Sequence, residues 1–270
     1  MSSSLLSPSV GYGDGGFDWN EGRGLAVLLH GAGGDRSSWA LQARTLGSDG
    51  WNVLAVDFPG HGRSAQLGGD ASIEALADWV GETVETVPAP YRRRLCVAGH
   101  SMGACVAVTL AARRDVDRLA LLGAGKAMPV NDALLHDTLH APQQAARFIA
   151  AFAHAKQHHL GGAEMPGVWL LGATAAQIAR TDPEILHADF AACNAWRSED
   201  LLESVTAPTL VVVGDADRMT PPAAGIGLAD SLGDSTLETL TGVGHMMMLE
   251  APTTVGQLLR RHFGDAHATG

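Results

Sequence analysis

Short apolar runs that close on or beside Gly or Asp recur along the chain, at 25–30, 51–57, 95–99, 118–122, 209–214 and 236–240. Their centres (AVLL, VLAV, LCVA, LALL, LVVV) are apolar throughout instead of alternating. That is the pattern of parallel strands covered by helices on both faces. Helical periods fill the spaces between the runs, most clearly over 73–86 and 102–114. The expected fold class is α/β, with a mostly parallel central sheet flanked by helices.

One interval breaks the rhythm. From 126 to 206 there is no strand-like run, and helical patterns follow one another at 133–140, 142–155, 173–179 and 184–196. Gly161-Gly162, Pro166-Gly167 and Pro183 punctuate them. The expected organisation is a core of residues 25–125 and 207–270 carrying a helical insertion, 126–206. Residues 1–24 are rich in Gly and Ser and lack a period, so they read as a poorly ordered tail or a weak edge hairpin around 12–19. The insertion is expected between the sixth and seventh strand-type units.

Composition narrows the function. Of 270 residues, 46% are apolar and 17% charged, enough to bury a sizeable core and too little charge for a disordered chain. Twenty-nine Asp and Glu against 18 Lys and Arg give a net charge of −11, which argues against nucleic acid or an anionic membrane as partner. Cys96, Cys105 and Cys193 form no CxxC pair, so a disulfide scaffold and a cysteine zinc site are both poor readings. The N terminus has no basic region followed by a secretory apolar run, and no internal stretch nears the roughly 20 residues that span a bilayer. A soluble, cytoplasmic protein is expected.

The chemistry concentrates at the ends of the runs. Gly99-His100-Ser101-Met102-Gly103 follows LCVA and opens the helical period 102–114. GxSxG at a strand-to-helix turn is a nucleophile elbow, in which the glycines permit a sharp turn that lifts the serine hydroxyl above the sheet. A helix N-terminus there favours developing negative charge. Serine is a weak nucleophile until a base takes its proton and a carboxylate orients that base. His245 follows the last run, and Asp217, with Asp215 as its rival, follows TLVVV. Nucleophile, acid and base thus stand in the chain order expected with such an elbow.

Five motifs occur in sequence: HGAGG (30–34), DFPGHGRS (57–64), GHSMG (99–103), GDADRMTPP (214–222) and GHMMMLE (244–250). By these the chain resembles the α/β-hydrolase superfamily, in its cap-bearing, esterase-like branch, from about residue 25 to its end. The resemblance implies that 126–206 is a cap over the active site. It implies a triad of Ser101, Asp217 and His245, with Asp217 selected over Asp215 by the pattern GxxDxxxP. It places the oxyanion hole at the amides of Ala32 and Met102, and makes His30 a support for that loop. Asp57 and His61 become parts of a structural turn, and His100 is expected to point away from the nucleophile.

The activity so implied is that of a cofactor-free serine hydrolase, cleaving a small or medium carboxylic ester through an acyl-enzyme. Its partner would be a small-molecule acyl substrate. Ser101 stands where dehalogenases and epoxide hydrolases need a carboxylate. Two alternatives stay open. Carbon–carbon bond hydrolases of the meta-cleavage type usually read GNSMGG and HGxGPG where this chain has GHSMGA and HGAGGD. A non-catalytic, ligand-binding member of the fold is the other. Self-association into a homo-oligomer is not decided by the sequence.

Other features carry less. Gly11-Tyr12-Gly13-Asp14-Gly15-Gly16 matches GxGxxG but lacks the flanking strand and helix that dinucleotide binding needs. His136/His140 and His154/His158 are spaced i,i+4 on expected helices, a zinc-compatible spacing, yet neither has an HExxH acid or a nearby cysteine. They read as solvated or interface histidines, and neither metal nor cofactor is expected. The insertion supplies apolar side chains at Leu134, Leu135, Phe148, Ile149, Phe152, Trp169, Leu170 and Leu171. Some should pack it on the core, and the rest should line a closed pocket.

Overall fold

The computed structural model describes residues 6–66, 71–161, 164 and 167–267. Residues 1–5 of the expected tail, and Gly162 and Pro166 among the expected helix breaks, lie outside them. The strands are β1 (Tyr12–Gly13), β2 (Leu25–Leu29), β3 (Asn52–Val56), β4 (Leu95–His100), β5 (Arg118–Leu122), β6 (Thr209–Gly214) and β7 (Ser235–Leu240). The helices are α1 (Ala40–Ser48), α2 (Ile73–Thr86), α3 (Met102–Arg113), α4 (Asp132–His140), α5 (Pro142–Ala153), α6 (Leu170–Ile178), α7 (Pro183–Ala195), α8 (Pro222–Ala229), α9 (Met247–Glu250) and α10 (Pro252–Phe263).

One sheet contains all seven strands in the order β1-β3-β2-β4-β5-β6-β7. The β1 strand runs antiparallel to β3, and every other pairing is parallel. Successive residues of a strand face opposite sides. Val27, Leu54, Val97, Leu121 and Val211 join the layer packed by α2 and α3. Leu28, Ala55, Ala98, Leu122 and Val212 join the layer packed by α1 and α10. Covering on both faces is why these strands read as unbroken apolar runs. Each fully buried aliphatic side chain contributes roughly 1.5–3 kcal/mol, so the strand ends are held rigidly. Because β2, β4, β5, β6 and β7 are parallel, the loops after them share one edge of the sheet.

The N-terminal segment departs from expectation. It makes no hairpin, because β1 pairs with β3 and not with a neighbour in sequence. Residues 6–24 are tied down: Leu6 and Trp19 are buried, the Trp19 indole donates to Val53 O (3.1 Å), and Asn20 N donates to Asn52 Oδ1 (2.8 Å). With one short strand ahead of β2, the helical insertion falls between the fifth and sixth strands.

The insertion contains α4 to α7 around Leu134, Ile149, Ile178, Leu186 and Phe190. An antiparallel bridge between Ala127 and Arg197 closes its neck. Helix α5 stops at Ala153, since His154 takes an extended conformation (φ −89°, ψ 142°). His154 and His158 therefore do not share a helix face. Instead both turn onto the buried carboxylate of Glu250. His158 Nδ1 lies 2.5 Å from Oε2 and His154 Nδ1 3.2 Å from Oε1. Oε2 also accepts from Gly244 N (3.0 Å) and Ala155 N (3.2 Å). His245 N donates to Ala153 O (2.6 Å), so the insertion is fastened directly to the loop after β7.

Burial opposes the charge on Glu250, but His154, the Gly244 amide and His158 outweigh it and hold the carboxyl down at about 2, against an ordinary 4.5. A depressed carboxyl contributes stability above its unfolded value and loses it as pH falls toward the folded one. Glu250→Gln should therefore lower unfolding free energy at pH 7 by on the order of 3 kcal/mol. Urea titrations should show the gap to wild type closing between about pH 4.5 and pH 2. A gap unchanged at pH 3 would mean that the carboxylate charge is not its origin.

Candidate active site

The β4 strand ends at His100, and the chain reverses into α3 through Ser101, which has φ 54° and ψ −118°. It is the one non-glycine residue at positive φ among the described residues. The two glycines of the motif make room for this turn. A Cβ on Gly99 would stand 2.2 Å from Gly103 O, and one on Gly103 would stand 2.3 Å from Leu29 O. Ser101 N donates to Leu122 O (2.9 Å), which ties the turn to β5.

The loop after β2 passes against the elbow, since a Cβ on Gly31 would lie 3.3 Å from Ser101 Cβ. His30 Nδ1 donates to Gly31 O (2.8 Å), and its Nε2 accepts from Phe58 N (3.0 Å). Both ring nitrogens are thus engaged with the ring neutral. Burial, helped by the nearby His61, pushes His30 down to about 4, which makes it a loop support and no proton shuttle. The amides of Ala32 and Met102 donate to no group among the described residues. Ala32 lines the same cavity as Ser101, and Met102 follows Ser101 directly at the start of α3.

His245 Nδ1 donates to Asp217 Oδ2 at 2.8 Å, with both side chains buried. Asp217 Oδ1 accepts from Met219 N (2.8 Å) and Thr220 N (2.9 Å), which fixes the carboxylate plane. With its proton on Nδ1, the imidazole leaves Nε2 as an acceptor. Gly123 (φ 60°) gives the ring room, because a Cβ there would lie 3.0 Å from Nδ1. Asp215 is exposed and accepts from Gly242 N (2.6 Å). It shapes the loop ahead of His245 and does not reach the ring.

One side chain stands otherwise than the sequence led one to expect. His100 does not turn away from the site. Its ring lies 4.6 Å from that of His245, and its Nε2 donates to His245 O (2.9 Å). Burial, together with the neighbouring His245, holds His100 well below the ordinary histidine range, so it serves as a neutral donor that fixes the His245 backbone. Asp57 is the structural residue expected, buried and accepting from Arg36 N, Arg63 N and the Arg36 guanidinium.

Ser101 and His245 line one cavity of about 180 Å³ between the sheet edge and the insertion. Of the apolar residues expected to line it, Ile149 does. Leu134 and Leu170 are buried in packing, while Phe148 and Trp169 face outward at 45% and 64% exposure. Met128, Val130, Ile178, Phe190 and Met219 supply the wall instead. Ser38, Thr174 and Gln177 add uncharged polar groups, and no Lys, Arg, Asp or Glu lines the cavity among the described residues.

Residues 26–258 match the model of a family described as the alpha/beta hydrolase family. An (E)-2-((N-methylformamido)methylene)succinate hydrolase of Acinetobacter baylyi is 26% identical, covering 90% of this chain and 91% of its own. A pimeloyl-[acyl-carrier protein] methyl ester esterase of Neisseria meningitidis is 31% identical, covering 86% and 74%. The solved structure of an esterase from Exiguobacterium antarcticum superposes with a TM-score of 0.81 at 19% identity, over 93% of this chain and 94% of that one. The shared sheet, the motif order and the match across most of the chain agree: this protein belongs to the alpha/beta hydrolase family and stands among its esterase-like hydrolases.

Proposed function

We propose that the chain is a serine hydrolase of small, uncharged carboxylic esters. The observation that carries this reading is the 2.8 Å bond from His245 Nδ1 to the buried Asp217, with the histidine sharing a cavity with Ser101 at its strained turn. Ser101 Oγ attacks the ester carbonyl while His245 Nε2 takes its proton. The tetrahedral oxyanion accepts from the Ala32 and Met102 amides. His245 then gives the proton to the leaving alcohol, and a water molecule repeats the sequence to free the acid. Asp217 holds the imidazole in the tautomer this requires and stabilises its cation. Beyond the substrate and the water, the groups named in the scheme are all supplied by the chain.

The substrate class follows from the cavity. Its volume of about 180 Å³ lies below the ~300–1,000 Å³ of drug-sized pockets, and its uncharged wall has nothing to pair with a carboxylate. The Neisseria meningitidis relative is named for cleaving a methyl ester, which agrees with an ester substrate. The insertion acts as a cap that closes the pocket. A cytoplasmic setting also belongs to this reading: Cys96, Cys105 and Cys193 are buried and unpaired, and burial raises all three thiols.

Wild type should hydrolyse p-nitrophenyl esters with kcat/KM highest from acetate to about hexanoate and falling toward palmitate. Ser101→Ala should remove nearly all of that activity with the fold intact by circular dichroism. A fully active Ser101→Ala would rule out the serine mechanism. Peak activity on palmitate would rule out the closed pocket, and turnover of 1,5-diketones in place of esters would move the reading to carbon–carbon bond cleavage.

The two aspartates should separate cleanly. Asp217→Asn should lower kcat by up to roughly ten-thousandfold, because an amide no longer favours the reactive tautomer. Asp215→Asn, at an exposed loop bond, should cost less than about tenfold. The reverse ranking in steady-state kinetics would assign the acid to Asp215.

A further inference from the structure

The Ala32 amide belongs to the peptide plane that joins Gly31 to Ala32. Because that plane is rigid and trans, whatever holds Gly31 O also aims the Ala32 N–H. Gly31 O accepts from His30 Nδ1 (2.8 Å) and from Gly34 N (3.0 Å). The next plane, from Ala32 to Gly33, is held from the insertion: Gly33 N donates to Asp189 Oδ2 on α7 (2.8 Å). Gly33 O in turn accepts from Thr181 Oγ1, between α6 and α7 (3.0 Å). Gly33 has φ 66°, and a Cβ there would stand 2.6 Å from Leu186 Cδ1, so loop and helix are in direct contact. Both planes around Ala32 are thus pinned, one by the core and one by the insertion.

Asp189 has a second partner. Its Oδ2 also lies 2.9 Å from His61 Nε2, while His61 Nδ1 lies 3.1 Å from Pro59 O. A carbonyl and a carboxylate can only accept, so the form of His61 with a proton on each nitrogen is the one that satisfies both contacts. His61 and Asp189 form a pair in a site where both are buried. Around His61 stand Asp189 from α7, Asp57 from the end of β3 and His30 from the end of β2. Burial works against its charge, but Asp189 and then Asp57 outweigh it and raise His61 above the ordinary range.

We propose that Asp189 is a positioning residue for the reaction: bonded to the Gly33 amide and paired with His61, it holds the Ala32 N–H on the oxyanion, so that the insertion contributes to rate and not to substrate fit alone. The proposal rests on the reading of Ala32 as an oxyanion donor. Losing one such donor outright typically costs about 100–1,000-fold in rate, and misplacing a group by about 1 Å can cost 100-fold. Loosening the loop should cost somewhat less.

The test is steady-state kinetics on p-nitrophenyl butyrate across pH, with circular dichroism as the check on folding. Asp189→Asn should lower kcat about 10–100-fold with KM within about threefold. Thr181→Val, which loses only the hydroxyl, should lower kcat severalfold by the same pattern. Wild-type kcat should fall on the alkaline side, because the charged form of the pair is present below the raised pKa of His61 and is lost as pH rises through it. Asp189→Asn should lack that alkaline fall. A purely structural role would lower Tm and leave kcat of the folded variant unchanged. Asp189→Asn with wild-type kcat overturns the proposal. Should that variant not fold, wild-type kcat in Thr181→Val together with a flat alkaline profile of the native enzyme overturns it. Ser101→Ala run in parallel keeps the two levels apart: if it stays active, the serine mechanism fails whatever Asp189 does.

Discussion

The reversal of the chain at Ser101 is the constraint on which the rest of the site depends. A side chain at φ 54° sits in a sparsely populated region that costs of order 1–3 kcal/mol and persists only where the surroundings over-determine it. Here they do. Gly99 and Gly103 are the only residue type that fits between β4, the start of α3 and the end of β2, and Ser101 N is anchored to β5. Since β4 lies between β2 and β5, the hydroxyl emerges beside the loops after both neighbours. The Ala32 loop, the His245 ring and the Gly123 backbone are then placed relative to a point that cannot move.

The acidic chain also puts its buried carboxylates to structural use. Among the described residues, the buried acids are Asp57, Asp189, Asp217 and Glu250. Each accepts at least one backbone amide and faces an imidazole or a guanidinium. A buried carboxylate without such partners would cost several kcal/mol. With them it becomes a clasp for an irregular loop, where no regular ladder of hydrogen bonds is available. Asp57 gathers the turn after β3, and Asp217 orients His245. Asp189 and Glu250 tie the insertion to the loops on either side of the elbow.

Much of the frame was legible in the sequence, and particular residues show why. The strand cores could be read from unbroken apolar runs, and the bounds of α2 and β5 agree with the periods. The elbow announced itself because GxSxG is a local motif whose geometry lies within five residues. Asp189 and Glu250 gave no comparable signal. Asp189 meets His61 across 128 positions and Glu250 meets His158 across 92, so nothing local distinguishes them from solvated acids. The i,i+4 spacing of His154 and His158 misled because α5 ends one residue before it. The apolar wall of the cavity was misassigned for a similar reason: which face of a short helix points inward is set by tertiary packing, and Phe148 and Trp169 face out. His100 was misread because its partner is a backbone carbonyl, which a sequence does not display.

The central claim is that Ser101 is an activated nucleophile, driven by His245 in a shared cavity. Incubation with an alkyl fluorophosphonate, followed by intact-mass measurement and peptide mapping, tests it without knowledge of the natural substrate. One adduct per chain is expected, located on Ser101, with labelling slowed by orders of magnitude in His245→Ala. No adduct, an adduct on another residue, or labelling of Ser101 at the same rate without His245 would contradict it.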